Sequence, residues 1–262
     1  METIVDNLYV RYTEEGSGPT ILMLHGWADT MHTFDVITRE LSGYRIVRLD
    51  LPGFGASERP KETWGVEEYA RFTLAFCKKL ECEPDVLVGH SFGGRIIIKG
   101  VGEGLLQPEK VILIASAGIA KEKTWRNDVL RIIARFGKAA TSIPPLSRAR
   151  QKIRRKLYTI IGSDYFASGS MRDIFLKVIS EDLLQYARKI KVPTLLIWGR
   201  DDASTSLESG EKIHAAIAGS QLKIIDDAGH FVHQERWQEV AELIKNFIPA
   251  PLAPLEASAQ RV

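Results

Sequence analysis

The chain has 262 residues, 45% of them hydrophobic, and a formal net charge of +2, which suits one substantial α/β domain with an insertion and gives no reason to expect a nucleic-acid partner. No apolar run reaches membrane-spanning length, and the start Met1-Glu2-Thr3-Ile4-Val5-Asp6 lacks the basic opening and apolar centre of a signal peptide. The two cysteines, Cys77 and Cys82, lie too near each other along one predicted helix for an easy disulfide, and no Cys/His cluster has zinc-ligand spacing, so the expectation is a reduced, soluble, cytoplasmic protein without a metal.

In chain order, residues 3–12 alternate weakly and predict one edge strand, ended by the turn residues Gly16-Ser17-Gly18-Pro19. Thr20-Ile21-Leu22-Met23-Leu24 reads as a buried strand that delivers His25-Gly26-Trp27 at its C-terminal end, where an open parallel sheet binds ligands. Helix signals run through Phe34, Ile37 and Leu41 and stop at Gly43. The strand Arg45–Leu49 then reaches Asp50-Leu51-Pro52-Gly53-Phe54-Gly55-Ala56-Ser57. This loop is glycine-rich but lacks the Lys-Ser/Thr ending of a phosphate loop, so it reads as a tight turn with Asp50 in a structural role. A helix is predicted from Val66 to Leu80.

The stretch from Pro84 carries the strongest signal. Val86-Leu87-Val88 is a short apolar run closed by Gly89, and Arg95-Ile96-Ile97-Ile98-Lys99 continues as a helix, so Ser91 in Gly89-His90-Ser91-Phe92-Gly93 falls on a strand-to-helix turn. Glycine on both sides lets strand and helix meet at a sharp bend, exposing the hydroxyl beside the N–H groups of a helix start. This is a nucleophile elbow, and here the chain resembles the α/β-hydrolase family. The His25-Gly26 pair resembles the family's oxyanion loop, which implies that the backbone N–H groups of Trp27 and Phe92 face the oxygen of an attacked carbonyl. His25 itself is read as structural. The Asp50–Ser57 run also looks like the family's.

Val111–Ala115 is a further buried strand, after which strand-helix alternation stops until Val192–Trp198. The resemblance implies a hydrolase core of residues 1–118 and 191–248, a mostly parallel sheet with helices on both faces, interrupted by an all-helical cap at 119–190 that lies over Ser91. The first half of that cap is basic, from Lys121, Lys123 and Arg126 to Arg154, Arg155 and Lys156, with Leu130, Ile132, Ile133 and Phe136 on an apolar side. A solvated helix face is the preferred reading over an entrance for anionic substrates or attachment to a phospholipid surface or nucleic acid. The proline-rich tail at 249–262 is expected to be disordered.

The remaining chemistry follows two late strands. Trp198-Gly199-Arg200-Asp201-Asp202 leaves one, and Gln221–Ile225 delivers Asp226-Asp227-Ala228-Gly229-His230-Phe231. A serine hydroxyl needs a general base, and the base needs an anion on its other nitrogen, so Ser91, an aspartate and His230 form the expected set, in the family's order. The resemblance favours Asp202 as that anion, with Asp201 as the other candidate and Asp227 as a loop cap. His90 and His233 are expected beside the site in supporting or surface roles, His32 and His214 on helices.

Serine at position 91 argues against the aspartate nucleophile of epoxide hydrolases and dehalogenases. It allows ester, lactone, thioester and amide hydrolysis of small molecules, C–C bond hydrolysis of vinylogous diketones and cofactor-free perhydrolysis. The C–C hydrolases carry a Ser/Gly-rich loop after His-Gly and a tryptophan after the histidine, where this chain has Trp27-Ala28-Asp29 and Phe231. Carboxylic-ester hydrolysis without a cofactor is therefore the expectation, against a non-catalytic ligand receptor of the same fold.

Overall fold

The structure is a computed structural model and describes residues 1–119 and 169–248; the basic run from Lys121 to Lys156 and the tail at 249–262 lie outside them. Among the described residues eight strands form one sheet: β1 (Glu2–Val5), β2 (Leu8–Glu15), β3 (Thr20–Leu24), β4 (Arg45–Leu49), β5 (Val86–His90), β6 (Lys110–Ile114), β7 (Thr194–Gly199) and β8 (Gln221–Ile225). Their spatial order is β1-β2-β4-β3-β5-β6-β7-β8, with β1, β2 and β4 paired antiparallel and every other pair parallel.

The single edge strand expected over residues 3–12 is in fact a hairpin. Asp6 and Asn7 both take left-handed backbone angles, φ 48° and 63°, and pair Val5 with Leu8. Two consecutive left-handed residues turn a hairpin in the sense that strand twist favours, and Asp and Asn tolerate that conformation better than most residues. The helix expected through Phe34 to Leu41 is shorter than its apolar spacing suggested: a 3-10 turn at Met31–Phe34 runs into α1 (Asp35–Thr38).

The central strands are predominantly apolar because both faces of the sheet are covered. Leu22, Leu24, Leu87, Leu113, Leu196 and Trp198 face α2 (Val66–Lys79) and α3 (Phe92–Gly102). Ile21, Met23, Val88, Ile112, Ile114 and Ile197 face the opposite layer. Their alternate parity along each strand is the period-2 signature of a pleated sheet. That second layer contains α1 and the two C-terminal helices, α7 (Val232–Glu235) and α8 (Trp237–Phe247), through Ile37, Val232, Val240 and Ile244. Between them in sequence come α4 (Arg172–Ser180), α5 (Leu184–Ala187) and α6 (Leu207–Ala216). No helix among the described residues is long and apolar enough to cross a membrane.

Several polar contacts position the chain that leaves the sheet after β6 and rejoins it at β7. The Leu183 N–H donates to the Gly118 carbonyl at 2.8 Å. From α3, the Arg95 guanidinium donates to the Glu181 carbonyl, while buried Lys99 Nζ lies 2.8 Å from Glu181 Oε1 and 3.0 Å from Glu103 Oε1. The helix that follows Ser91 is thereby tied to the segment that follows α4.

Candidate active site

Ser91 sits between β5 and α3 with φ 49° and ψ −105°, a sparsely populated combination for a residue with a Cβ. Such a conformation costs on the order of 1–3 kcal/mol and persists only where the surroundings over-determine it. Here they do: the Ser91 N–H donates to the Ile114 carbonyl at 3.0 Å, and the Ser91 carbonyl accepts from Ala117 N–H at 3.0 Å. The flanking glycines are needed for close approach. A Cβ on Gly89 would lie 2.6 Å from the Gly94 nitrogen, and one on Gly93 would drive into the Leu24 carbonyl oxygen. Since that neighbour is backbone and Gly93 N–H already donates to the His25 carbonyl at 3.0 Å, Gly93→Ala is expected to destabilise the fold by about 3 kcal/mol in urea titrations.

The structure brings Ser91, His230 and Asp202 together from three loops. His230 Nε2 lies 3.0 Å from Ser91 Oγ, and His230 Nδ1 lies 2.9 Å from Asp202 Oδ2. The Asp202 carboxylate can only accept, so Nδ1 carries the proton and Nε2 presents a lone pair to the serine hydroxyl. Asp202 is 6% exposed. Burial alone would raise its carboxyl above the ordinary range, but the bonds and charge from His230, and those from Thr205, outweigh burial and hold it below. Asp201, the other candidate, is exposed in the turn, its N–H donating to the Ala228 carbonyl at 2.9 Å. Asp227 is exposed as well, 3.4 Å from Arg236.

Trp27 lines the same cleft as Ser91, His230, Asp29 and Phe231. Phe92 opens α3, in the first turn where helical geometry offers the N–H no partner. The Gly93–His25 bond holds the two loops side by side. His25 has the structural part expected of it: buried, with Nδ1 2.7 Å from the Gly26 carbonyl and Nε2 accepting from the Leu51 N–H at 2.9 Å. Asp50 is likewise structural, accepting from the Met31 and Ala56 N–H groups. The Trp27 indole packs against Phe54 at 4.8 Å, Phe92 at 5.2 Å and Phe175 of α4 at 5.0 Å between ring centroids.

This arrangement can attack an electrophilic carbon with a base-activated hydroxyl and hold the base in one tautomer. A family model described as the alpha/beta hydrolase family matches residues 21–243, which takes in every one of these loops. The chain belongs to the α/β-hydrolase family. This hydrolase is 26% identical over 270 residues to the uncharacterized hydrolase YugF of Bacillus subtilis, covering 92% of this chain and 94% of that one. It is 27% identical over 257 residues to the human monoacylglycerol lipase ABHD6, covering 89% and 76%. A crystal structure of a membrane phospholipase A, a bacterial virulence factor, superposes with a TM-score of 0.74 at 26% identity, covering 94% of this hydrolase and 84% of that chain.

Sequence reasoning missed Thr205. Its Oγ lies 2.8 Å from Asp202 Oδ2 and 3.3 Å from His230 Nδ1, and its N–H, with that of Ser204, donates to Asp202 Oδ1 at 2.9 and 2.8 Å. An aspartate followed at two and three residues by Ser and Thr is the sequence mark of such a turn, and it separates Asp202 from Asp201. His90 and His233 are both buried, not surface groups. His32 is exposed beside Asp35 at 3.1 Å, and His214 Nδ1 pairs with Ser220 Oγ at 2.7 Å. Among the described residues no three His, Cys, Asp or Glu side chains form a group that could hold a metal ion.

Proposed function

We propose that this α/β hydrolase cleaves carboxylic esters of small molecules through an acyl-enzyme on Ser91. The carrying observation is the row of Ser91 Oγ, His230 and Asp202 at 3.0 and 2.9 Å. Ser91 attacks the ester carbonyl as His230 Nε2 takes its proton, and Asp202 stabilises the imidazolium that forms. The N–H groups of Trp27 and Phe92 receive the oxyanion; one such donor is worth about 3 kcal/mol of transition-state stabilisation. His230 then protonates the leaving alcohol, and water activated by the same nitrogen releases the acid.

In this reading residues 1–118 and 191–248 are the catalytic core and 119–190 its cap. Contact of Phe175 with Trp27 supports that division, since it sets α4 against the loop that carries the oxyanion donor. The ester bond named in monoacylglycerol lipase and phospholipase supports the substrate class. The bulk of Trp27 after His25-Gly26, among three phenylalanine rings, supports esters over vinylogous diketones.

The test is a substrate panel of p-nitrophenyl acyl esters, lactones and a vinylogous diketone, run beside stoichiometric labelling by a fluorophosphonate. Ester turnover with labelling of one serine, at position 91, is expected. Faster cleavage of lactone moves the substrate class to lactones, and faster cleavage of the diketone makes the chain a C–C hydrolase. Labelling without turnover of any member makes it a receptor.

A further inference from the structure

His90 is the last residue of β5, on the same parity as Val86 and Val88, and so faces the layer that contains α7. It is 1% exposed. Its Nε2 lies 3.0 Å from the backbone carbonyl oxygen of His230. A carbonyl only accepts, so Nε2 carries the proton and Nδ1 is left as a bare lone pair. That Nδ1 is buried with no hydrogen-bond partner and is turned toward the oxyanion loop: a Cβ on Gly26 would lie 2.8 Å from it. The ring packs against His233 at 4.3 Å, His230 at 4.9 Å and Phe231 at 5.3 Å between centroids. His233 is pinned in turn by Nε2 at 2.8 Å from Thr33 Oγ. Burial, then the neighbouring imidazoles, hold His90 well below the ordinary histidine range, and burial followed by His230 holds His233 down to about 3, so both rings are neutral at ordinary pH.

One side chain therefore touches the loop of the base, abuts the loop of the oxyanion donor and is bonded in sequence to the nucleophile. We propose that His90 is a positioning residue for hydrolysis: its Nε2–H bond to the His230 carbonyl fixes the height of the His230 backbone, so that the imidazole meets Ser91 Oγ at hydrogen-bond distance. The inference rests on the reading of Ser91, His230 and Asp202 as a hydrolytic set, and goes beyond it by assigning the registration of that set to a single bond. The His230 side chain hangs from the carbonyl's own residue, so a backbone shift passes directly to Nε2. A misplacement of about 1 Å at a reacting group costs on the order of 100-fold in rate.

Glutamine has the same number of bonds from Cβ to its amide nitrogen as histidine has to Nε2, so His90→Gln keeps a donor for the His230 carbonyl. His90→Phe keeps the ring and loses the donor. With a p-nitrophenyl ester, kcat of His90→Phe is expected to fall roughly 30- to 100-fold with KM within about threefold, while His90→Gln stays within about fivefold of wild type. Fluorophosphonate labelling rates should follow the same order, and thermal melts of both variants establish the folded fraction. A merely structural role would give folded proteins with wild-type kcat in both. Retention of kcat by His90→Phe, or loss in His90→Gln as deep as in His90→Phe, overturns the proposal. Should His90→Phe fail to fold, His90→Asn replaces it, because its amide reaches only the Nδ1 position, and the same loss is expected. Low-field proton NMR reads the contrast without turnover: the His230 Nδ1–H held by Asp202 should persist in His90→Gln and broaden or vanish in the donor-less variant. That contrast in a wild type that neither labels nor turns over ester would leave the role of His90 standing and sink the esterase reading alone.

Discussion

Ser91→Ala is expected to lower kcat for a short p-nitrophenyl ester by about 10⁵-fold, leaving only the rate that oxyanion stabilisation and binding supply. The loss is large because the substitution removes the hydroxyl that lies 3.0 Å from His230 Nε2 and carries the attack. The fold should survive. The side chain's oxygen makes its contact with His230, whereas the backbone is held by the bonds to Ile114 and Ala117, which alanine keeps. Alanine also keeps the Cβ that is strained at φ 49°. Glycine relieves it, so Ser91→Gly should be equally inactive yet more stable than Ser91→Ala by about 1 kcal/mol in urea titrations. Equal stabilities would mean that the elbow stores no strain, and near wild-type turnover in either variant would end the serine mechanism.

The parts of the fold that could be read from sequence are those where physics acts locally. Strands buried on both faces are largely apolar, so Ile21–Leu24, Val86–Val88 and Leu195–Trp198 announce themselves as runs. The elbow is legible because only glycine fits the approach of Gly89 to Gly94 and of Gly93 to Leu24, and the two positions are fixed relative to Ser91. His230 is legible because it ends a strand-and-loop unit at the same sheet edge. What stayed hidden depends on distant partners. Nothing near Lys99 in sequence indicates that Glu181 will cover it, nor near His233 that Thr33 will meet its ring. The β1–β2 hairpin stayed hidden for a different reason: its turn is Asp6-Asn7, without the glycine that usually marks two left-handed residues.

The same contrast explains why Asp202 is favoured over its neighbour Asp201 by the resemblance alone. Both leave β7 in one turn, and period-2 or helical spacing cannot rank them. The distinction lies in which carboxylate the following backbone folds around, and Ser204 and Thr205 fold around Asp202. Their N–H groups occupy Oδ1, while Oδ2 accepts from His230 Nδ1 and from the Thr205 hydroxyl, which gives the carboxylate two non-equivalent oxygens.

That non-equivalence sets the expected result for Asp202→Asn, a fall in kcat of about 10⁴-fold. An amide in this position can be oriented two ways. The two backbone N–H groups at Oδ1 demand an oxygen there, so the NH₂ group is driven to the Oδ2 side, facing His230 Nδ1. Nδ1 must then accept, the proton moves to Nε2, and the ring can no longer take the Ser91 proton. Fluorophosphonate labelling should fall in parallel, because it needs the same base. Stability should respond to pH with a definite sign. The Asp202 carboxyl in the folded chain lies below its ordinary value of 3.8, so its stabilising contribution is fully present above that pH and is lost as pH falls through the lower, folded value. Asparagine does not titrate, so the variant should be less stable than wild type at neutral pH, and the gap should close on acidification below about pH 4. A gap that widens instead would mean that Asp202 is held protonated in the fold. Activity within about 100-fold of wild type at pH 7 would show that tautomer control at His230 does not come from this carboxylate.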